Sequence, residues 1–284
     1  MAADGSSDED DDFISVRNED FLSLRRHWGV DLPSCVMGLR QSLARNPLQK
    51  AGGKSGALFH ICSRLGLVIK VEASEASAKA LGDISSAYAE HMKRYSQSDS
   101  LLCRLYGAFT TLTEGGSVAS VFLMEFIPGS IQFDIKGKQI RCTSRSDELF
   151  LRQRIRKDAR FSSSLLSALE GEQSRSTNFI YRLRQLEDAL NLLRNIQRTD
   201  YSLLIKVDRD RAVRIRVIDF LQEYNLKKHS ERVAKSTVSW LRENAVLPPH
   251  EYAERMLNFM RDELLLSKRL DEEGMEMPAR ASTF

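Results

Sequence analysis

TDYSLLIKVDRDRAVRIRVIDFLQEYNLKKHSERVAKS, Thr199 to Ser236, holds two apolar, β-rich runs with an acid beside each: Asp200 opens the first and Asp219 ends the second. The runs Ser202 to Val207 and Val213 to Ile218 flank Asp208, Arg209, Asp210 and Arg211, a charged tetrad suited to a hairpin turn. Antiparallel pairing brings the start of the first strand beside the end of the second, so Asp200 and Asp219 arrive at the same end. Magnesium-assisted phosphoryl transfer needs that geometry, with one carboxylate near the attacking hydroxyl and another on the metal. A basic cluster, Lys227, Lys228, Arg232 and Lys235, follows at once.

The chain of 284 residues is long enough for one large domain or two small lobes. Its apolar fraction of 42% and charged fraction of 29% are those of a soluble globular protein. No apolar run reaches the roughly 18 to 20 residues of a membrane span, and no basic and apolar signal sequence opens the chain. These features predict a cytoplasmic protein, peripheral at the cytosolic face of membranes. Cys35, Cys62, Cys103 and Cys142 are widely spaced and form no zinc pattern, so reduced structural thiols are expected. Net charge is +3, yet the first twelve residues hold six acids and no base. Without that segment, read as a disordered acidic tail, the remainder is clearly basic and suits a polyanionic partner such as a phosphoinositide, a nucleotide or nucleic acid.

Upstream of the hairpin, apolar residues at helical spacing predict two short helices between Phe13 and Gln49, with Asp31 and Pro33 as punctuation. Gly52-Gly53-Lys54-Ser55-Gly56 then precedes a hairpin of Ala57 to Cys62 and Leu67 to Val71, whose second strand carries Lys70. Glycine backbone there can approach phosphate, and a lysine on the adjoining strand can neutralise it. Neither Walker nor GxGxxG spacing is met, so a plain surface hairpin stays open. Ser74 to Tyr95 reads as a helix; Glu75 near its start either reaches back to Lys70 or is simply a favourable first-turn acid. Strands are expected at Leu102 to Tyr106 and Ser120 to Phe126, giving a small antiparallel sheet flanked by one helix, the plan of a nucleotide-binding lobe. Met124-Glu125-Phe126 is either a hinge whose backbone meets an adenine or an ordinary strand end. Asp134 and Lys136 lie two apart and share a strand face, useful for phosphate beside a metal, or else a solvated charged edge.

Arg141 to Phe161 is basic and reads as mobile loop and short helix. Leu183, Leu186, Leu190 and Leu193 recur at helical spacing between Thr177 and Arg198 and predict a long amphipathic helix delivering the chain to Asp200. After Pro248 and Pro249, Glu251 to Leu270 reads as a closing helix with Met256, Phe259, Met260 and Leu264 buried. The expected organisation is an acidic tail over 1–12, an amino lobe over 13–126, a carboxy lobe over 127–270 and a flexible tail over 271–284.

From about Phe21 to about Met260 the chain resembles the phosphatidylinositol phosphate kinases. The resemblance is carried by GKSG at Gly53 to Gly56, VIK ending at Lys70, LYG at Leu105 to Gly107, FDIKG at Phe133 to Gly137 and KD at Lys157 and Asp158. It continues through DYSLL at Asp200 to Leu204, IDFLQ at Ile218 to Gln222, the dilysine at Lys227 and Lys228, and YAERM at Tyr252 to Met256. It implies an α+β, two-lobed protein-kinase-like fold with antiparallel sheets flanked by helices and without HRD or DFG signatures. It also implies that Lys70 and Lys136 contact the phosphates of ATP, that Asp200 is the catalytic acid, and that Asp219 binds Mg²⁺. The dilysine segment is implied to be the specificity loop meeting an anionic phosphoinositide membrane, where each well-placed cation gains roughly 1 kcal/mol. Gly53, Ser55, Gly56 and the backbone of Met124, Glu125 and Phe126 complete the expected nucleotide site; nucleic acid is disfavoured as a partner, and a homo-oligomer is left open.

Some positions depart from the family pattern. Lys138 replaces the serine after glycine, Ala159-Arg160-Phe161 lacks the second acid after KD, and Thr199 stands where methionine is usual. Ser230 occupies the place where glutamate goes with phosphatidylinositol 4-phosphate users and alanine with 5-phosphate users; Glu231 follows, and a one-residue shift restores the glutamate. The reading is an ATP-dependent kinase of a phosphatidylinositol monophosphate, with a lean to the 4-phosphate and 5-hydroxyl attack. Two alternatives stand beside it: a weak or inactive phosphoinositide-binding scaffold, and a kinase for soluble inositol phosphates.

Overall fold

The computed structural model describes residues 13–50, 56–95, 100–113, 115–129, 131–136, 139–142, 177–207, 213–224 and 247–260. Gly53, Ser55, Lys157, Asp158, Lys227, Lys228, Ser230, Glu231, Arg232, Lys235 and Leu264 lie outside the described residues, as do both terminal tails. The chain forms two units, one of Met1–Asp99 with Cys103–Phe126 and one of Ser100–Leu102 with Ile127–Phe284.

The first unit runs β1 (Phe13–Ser15), α1 (Asn18–Trp28), α2 (Leu32–Arg45), β2 (Gln49–Lys50), β3 (Leu58–Cys62), β4 (Leu67–Glu72), α3 (Ala76–Arg94), β5 (Leu105–Leu112) and β6 (Val118–Glu125). Its strands form a six-stranded sheet in the order β1-β5-β6-β4-β3-β2, antiparallel at every pairing. β3 and β4 are the hairpin expected around Lys70, and their turn closes on Gly66 in a left-handed conformation (φ 67°) that glycine adopts without steric cost. The short edge strands β1 and β2 are additions to the sequence reading; strands of three and two residues carry too few positions to show a period of two.

β5 differs from expectation. It begins at Leu105 and runs on to Leu112, whereas Leu102 makes a parallel bridge to Val217 in the second unit. Gly107 does not end the strand because it sits at a register shift between Leu105 and Gly107. The shift frees the Tyr106 carbonyl, which accepts a 2.6 Å hydrogen bond from Arg25 Nη1. A Cβ at residue 107 would stand 3.2 Å from the Phe109 ring and 3.5 Å from that guanidinium, so glycine leaves the arginine its room. Burial lowers the Arg25 pKa, and the carbonyl partly offsets the cost of taking its charge out of water.

α3 buries Ala78, Leu81, Ile84, Tyr88, Ala89 and Met92 at helical spacing. The Tyr88 hydroxyl donates to Cys103 O at 2.9 Å and accepts from Leu105 N at 2.8 Å, tying the helix to the start of β5. On the other face, Leu67, Tyr106 and Leu123 form a cluster capped by Trp28, Leu32, Cys35, Leu39 and Ile69. α2 itself has no buried residue; it closely approaches the turn between β3 and β4 at Gly38, where an added Cβ would lie 3.0 Å from Leu65 Cδ1.

The second unit contains β7 (Ile131–Lys136), β8 (Gln139–Cys142), α4 (Thr177–Asn195), β9 (Ser202–Val207) and β10 (Val213–Ile218), then a helix, α5, over 249–260. The strands form one antiparallel sheet in the order β10-β9-β7-β8. Its register puts Ile135, Leu203, Ile205, Ile215 and Val217 on one face, all buried. Asp134, Lys136, Ser202, Leu204, Lys206, Arg214 and Arg216 share the other. Burial lowers the Lys206 pKa. α4 buries Leu186, Leu190 and Leu193 of the leucine stripe expected from its spacing, together with Ala189; the side chain of Leu183 lies outside those described. α5 buries Tyr252, Ala253, Met256, Leu257 and Met260, and Phe259 is only half-buried. The buried stripe is therefore one position off the expected one at that residue, because Tyr252 and Leu257 share the inward face.

Candidate active site

The β9/β10 hairpin pairs Ser202 with Ile218 and Val207 with Val213, as the two apolar runs predict. Beyond Ser202 and Ile218 the strands part and then meet again. Arg198 bridges Glu223, Thr199 N donates to Gln222 O at 3.0 Å, and Tyr224 N donates to Gln197 O at 3.0 Å. Asp200 and Asp219 lie in the two segments bracketed by these pairings. Both adopt left-handed backbone, with φ of 60° and 58°. Aspartate tolerates that region better than most residues because its short side chain bonds locally, but the conformation persists only where the surroundings hold it.

Several groups do so around Asp200. Lys136, at the end of β7 and directly opposite the start of β9, donates from Nζ to Asp200 O at 2.9 Å and stands 3.5 Å from Oδ1. Thr199, fully buried, donates its hydroxyl to Leu247 O at 2.9 Å. The Tyr252 hydroxyl donates to Tyr201 O. The Asp200 side chain itself stays 44% exposed, so its carboxylate is held from behind and open in front. Asp219 is exposed at the end of β10, with Phe220 buried beside it. Asp134, on the face it shares with Lys136, has a buried Oδ1 without a hydrogen-bond partner.

In the first unit, Lys70 sits mid-strand on β4, across from Phe59 on β3 and Phe122 on β6. Ser120, on the same face of β6 as Phe122, accepts from Ala78 N at 3.1 Å, so this is the face that carries α3. Lys70 Nζ stands 2.7 Å from Glu72 Oε1, both side chains being mostly buried. Glu75 is the N-cap residue of α3 and makes no side-chain cap bond. The carboxylate beside the lysine thus comes from its own strand. Spacing of i and i+2, which puts both side chains on one face, was the available cue.

Gly56 takes φ 67° immediately before the buried Ala57 and β3. At Met124 to Phe126 the backbone is largely engaged: Glu125 N donates to Arg104 O at 2.9 Å and Phe126 N to Gly66 O at 2.8 Å. Glu125 Oε1 also accepts from Arg104 N at 2.9 Å. An adenine meeting this trio would therefore face carbonyl oxygens and side chains before it found an uncommitted amide at Glu125 or Phe126.

A family model described as phosphatidylinositol-4-phosphate 5-kinase matches residues 43–214 and 206–263. The chain belongs to this family. The two matched stretches take in parts of both units and overlap over residues 206–214, and the second contains Asp219 and all of α5. Membership in the phosphatidylinositol-4-phosphate 5-kinase family implies phosphatidylinositol phosphate kinase activity. No curated protein matches the chain. Among the described residues no helix is long and apolar enough to cross a membrane.

Mg²⁺ is characteristically held by one or two carboxylates together with substrate phosphates and waters. Asp219 offers one exposed hard-oxygen donor of that kind. Among the described residues no group of three or more His, Cys, Asp or Glu could cage an ion. The donor set fits a metal that arrives with a nucleotide.

Proposed function

We propose that the chain is an ATP-dependent kinase that phosphorylates the inositol ring of a phosphatidylinositol monophosphate, phosphatidylinositol 4-phosphate at its 5-hydroxyl. The fold this reading requires is the two-lobed protein-kinase-like one, with the first unit as the nucleotide lobe and the second as the catalytic lobe. The observation that carries it is Lys136 seated on Asp200 at the open end of the β9/β10 hairpin, in a chain of this family.

In this reading the ring hydroxyl oxygen attacks the γ-phosphorus of ATP, the bond to the β–γ bridging oxygen breaks, and ADP leaves. Asp200 orients the hydroxyl and accepts its proton, a role that contributes typically 10² to 10⁴-fold. Lys70 and Lys136 neutralise phosphate charge. Asp219 would hold Mg²⁺, which when bound would supply further charge neutralisation on the transferring group. Gly53, Ser55 and Gly56 cover the phosphates, Met124 to Phe126 border the base, and Lys227, Lys228, Arg232 and Lys235 hold the protein to an anionic membrane. Ser230 and Glu231 select the head group. The protein then works at the cytosolic face of membranes without spanning them.

The test is labelled ATP with vesicles carrying each phosphatidylinositol monophosphate in turn, with the product head group resolved. Bisphosphate product from the 4-phosphate, lost by roughly a hundredfold or more in Asp200→Asn, is expected. Folded protein that binds the vesicles in Mg²⁺ yet makes no lipid product would leave the scaffold reading in place. Equal turnover of soluble head groups and vesicles would favour an inositol phosphate kinase.

A further inference from the structure

α5 brings to Asp200 a phenol that the proposed chemistry leaves without a task. Tyr252 is 3% exposed, and its hydroxyl donates to the carbonyl of Tyr201, the residue after Asp200. Its ring meets that of Tyr201 edge-on at 4.6 Å, and the Arg255 guanidinium lies 5.2 Å from its centroid. Desolvation, then the negative charges of Asp200 and Asp134, push its pKa up, so the hydroxyl keeps its proton and remains a donor.

Two successive carbonyls are thus held by side chains from two different elements: that of Asp200 by Lys136 on β7, and that of Tyr201 by Tyr252 on α5. On the other side of Asp200, the Thr199 hydroxyl bonds Leu247 O, in the chain leading into α5. The left-handed Asp200 is therefore clamped before and after itself by the same region. Ring packing alone would satisfy the core with phenylalanine; a hydroxyl aimed at this particular carbonyl fixes the peptide that orients the Asp200 side chain.

We infer that Tyr252 is a positioning residue for Asp200, acting through the Tyr201 carbonyl, with Thr199 as its counterpart on the other side. The inference rests on the reading that Asp200 acts on the inositol hydroxyl. Tyr252→Phe keeps the ring and removes the bond, so kcat should fall about tenfold or more, since small misplacements of a reacting group are costly. KM for ATP and lipid should stay within about twofold, because the groups assigned to binding are untouched.

The companion measurement is amide hydrogen exchange over residues 199–203 of the full chain, where Tyr252→Phe should speed exchange severalfold. Met256→Ala, in the same buried face of α5, should lower Tm at least as much while kcat below the transition is retained. If both variants lose kcat in proportion to Tm, or if exchange near Asp200 is unchanged in Tyr252→Phe, the inference is overturned. In an Asp200→Asn background the Tyr252 effect on rate should vanish; a full effect there also overturns it. Should Tyr252→Phe fail to fold, Thr199→Val takes its place with the same expected loss of kcat and faster exchange. Full activity in Asp200→Asn would instead defeat the underlying reading, leaving the exchange result to judge the clamp.

Discussion

Asp200 and Asp219 occupy a backbone region that costs most L-residues about 1 to 2 kcal/mol, and each stands where a paired strand has just parted from its neighbour. Lys70 presents the complementary case, a mid-strand residue whose regular geometry sets a carboxylate beside it, Glu72 at 2.7 Å. Both side chains of that pair are mostly buried, at 14% and 21% exposure, so each charge depends on the other for compensation. If Glu72 holds Lys70 in the posture proposed for phosphate binding, Glu72→Gln should weaken nucleotide binding roughly fivefold and also lower Tm, because a mostly buried charge loses its compensation. Titration calorimetry with a non-hydrolysable ATP analogue checks this, and unchanged affinity would assign the pair to the sheet alone.

Helix endings show how an element is placed by its last residues. α1 stops on Gly29 at φ 65°, with Val30 N donating to Arg25 O at 2.8 Å. α4 stops in the same way, with Arg198 N donating to Leu193 O at 2.8 Å and Gln197 N to Arg194 O at 3.1 Å, but its left-handed residue is Gln197 at φ 56°. Gly29→Ala should therefore destabilise by about 1 kcal/mol, and Gln197→Gly should stabilise by about 0.5 kcal/mol. Denaturant midpoints of opposite sign are the expected result. The α4 cap matters because its next residue, Arg198, begins the pairing that brackets Asp200. The hairpin itself was legible from two six-residue runs and a charged turn. The extent of β5 was not, because its Gly107 looks like a stop until the Arg25 guanidinium that needs the space is seen.

At the scale of the molecule, each unit contains buried phenols whose pKa burial raises: Tyr88 and Tyr106 in the first, Tyr201 and Tyr252 in the second. Tyr106 is pushed up to about 12 from an ordinary value of 10.0, and burial raises the other three as well. Below pH 10 the stability linked to these neutral phenols is fully present. Above it the unfolded chain releases protons that the folded one retains, so stability falls as pH rises toward and past 12. Tyrosinate absorbance from these residues should appear together with loss of circular dichroism. Full titration near pH 10 with the fold intact would mean that the rings are open to solvent.

The sequence by itself determined the elements that carry strong period and composition: both helices near the start, the Lys70 hairpin, α3, the leucine stripe of α4 and the β9/β10 hairpin with its two aspartates at one end. It also carried the motifs of the phosphatidylinositol-4-phosphate 5-kinase family. Those features are local, because a side-chain period or a turn tetrad is written within a dozen residues. Only the tertiary structure decided that Lys136 lies on Asp200, that Glu72 stands beside Lys70, that Leu102 leaves β5 for Val217, and that Tyr252 and Leu247 hold the chain around Asp200. Most of these contacts join residues dozens of positions apart in sequence, and Glu72 could be chosen over Glu75 only once the strand was seen to extend beyond Val71 to include it. Register and backbone hand set them, and neither is encoded at any single residue.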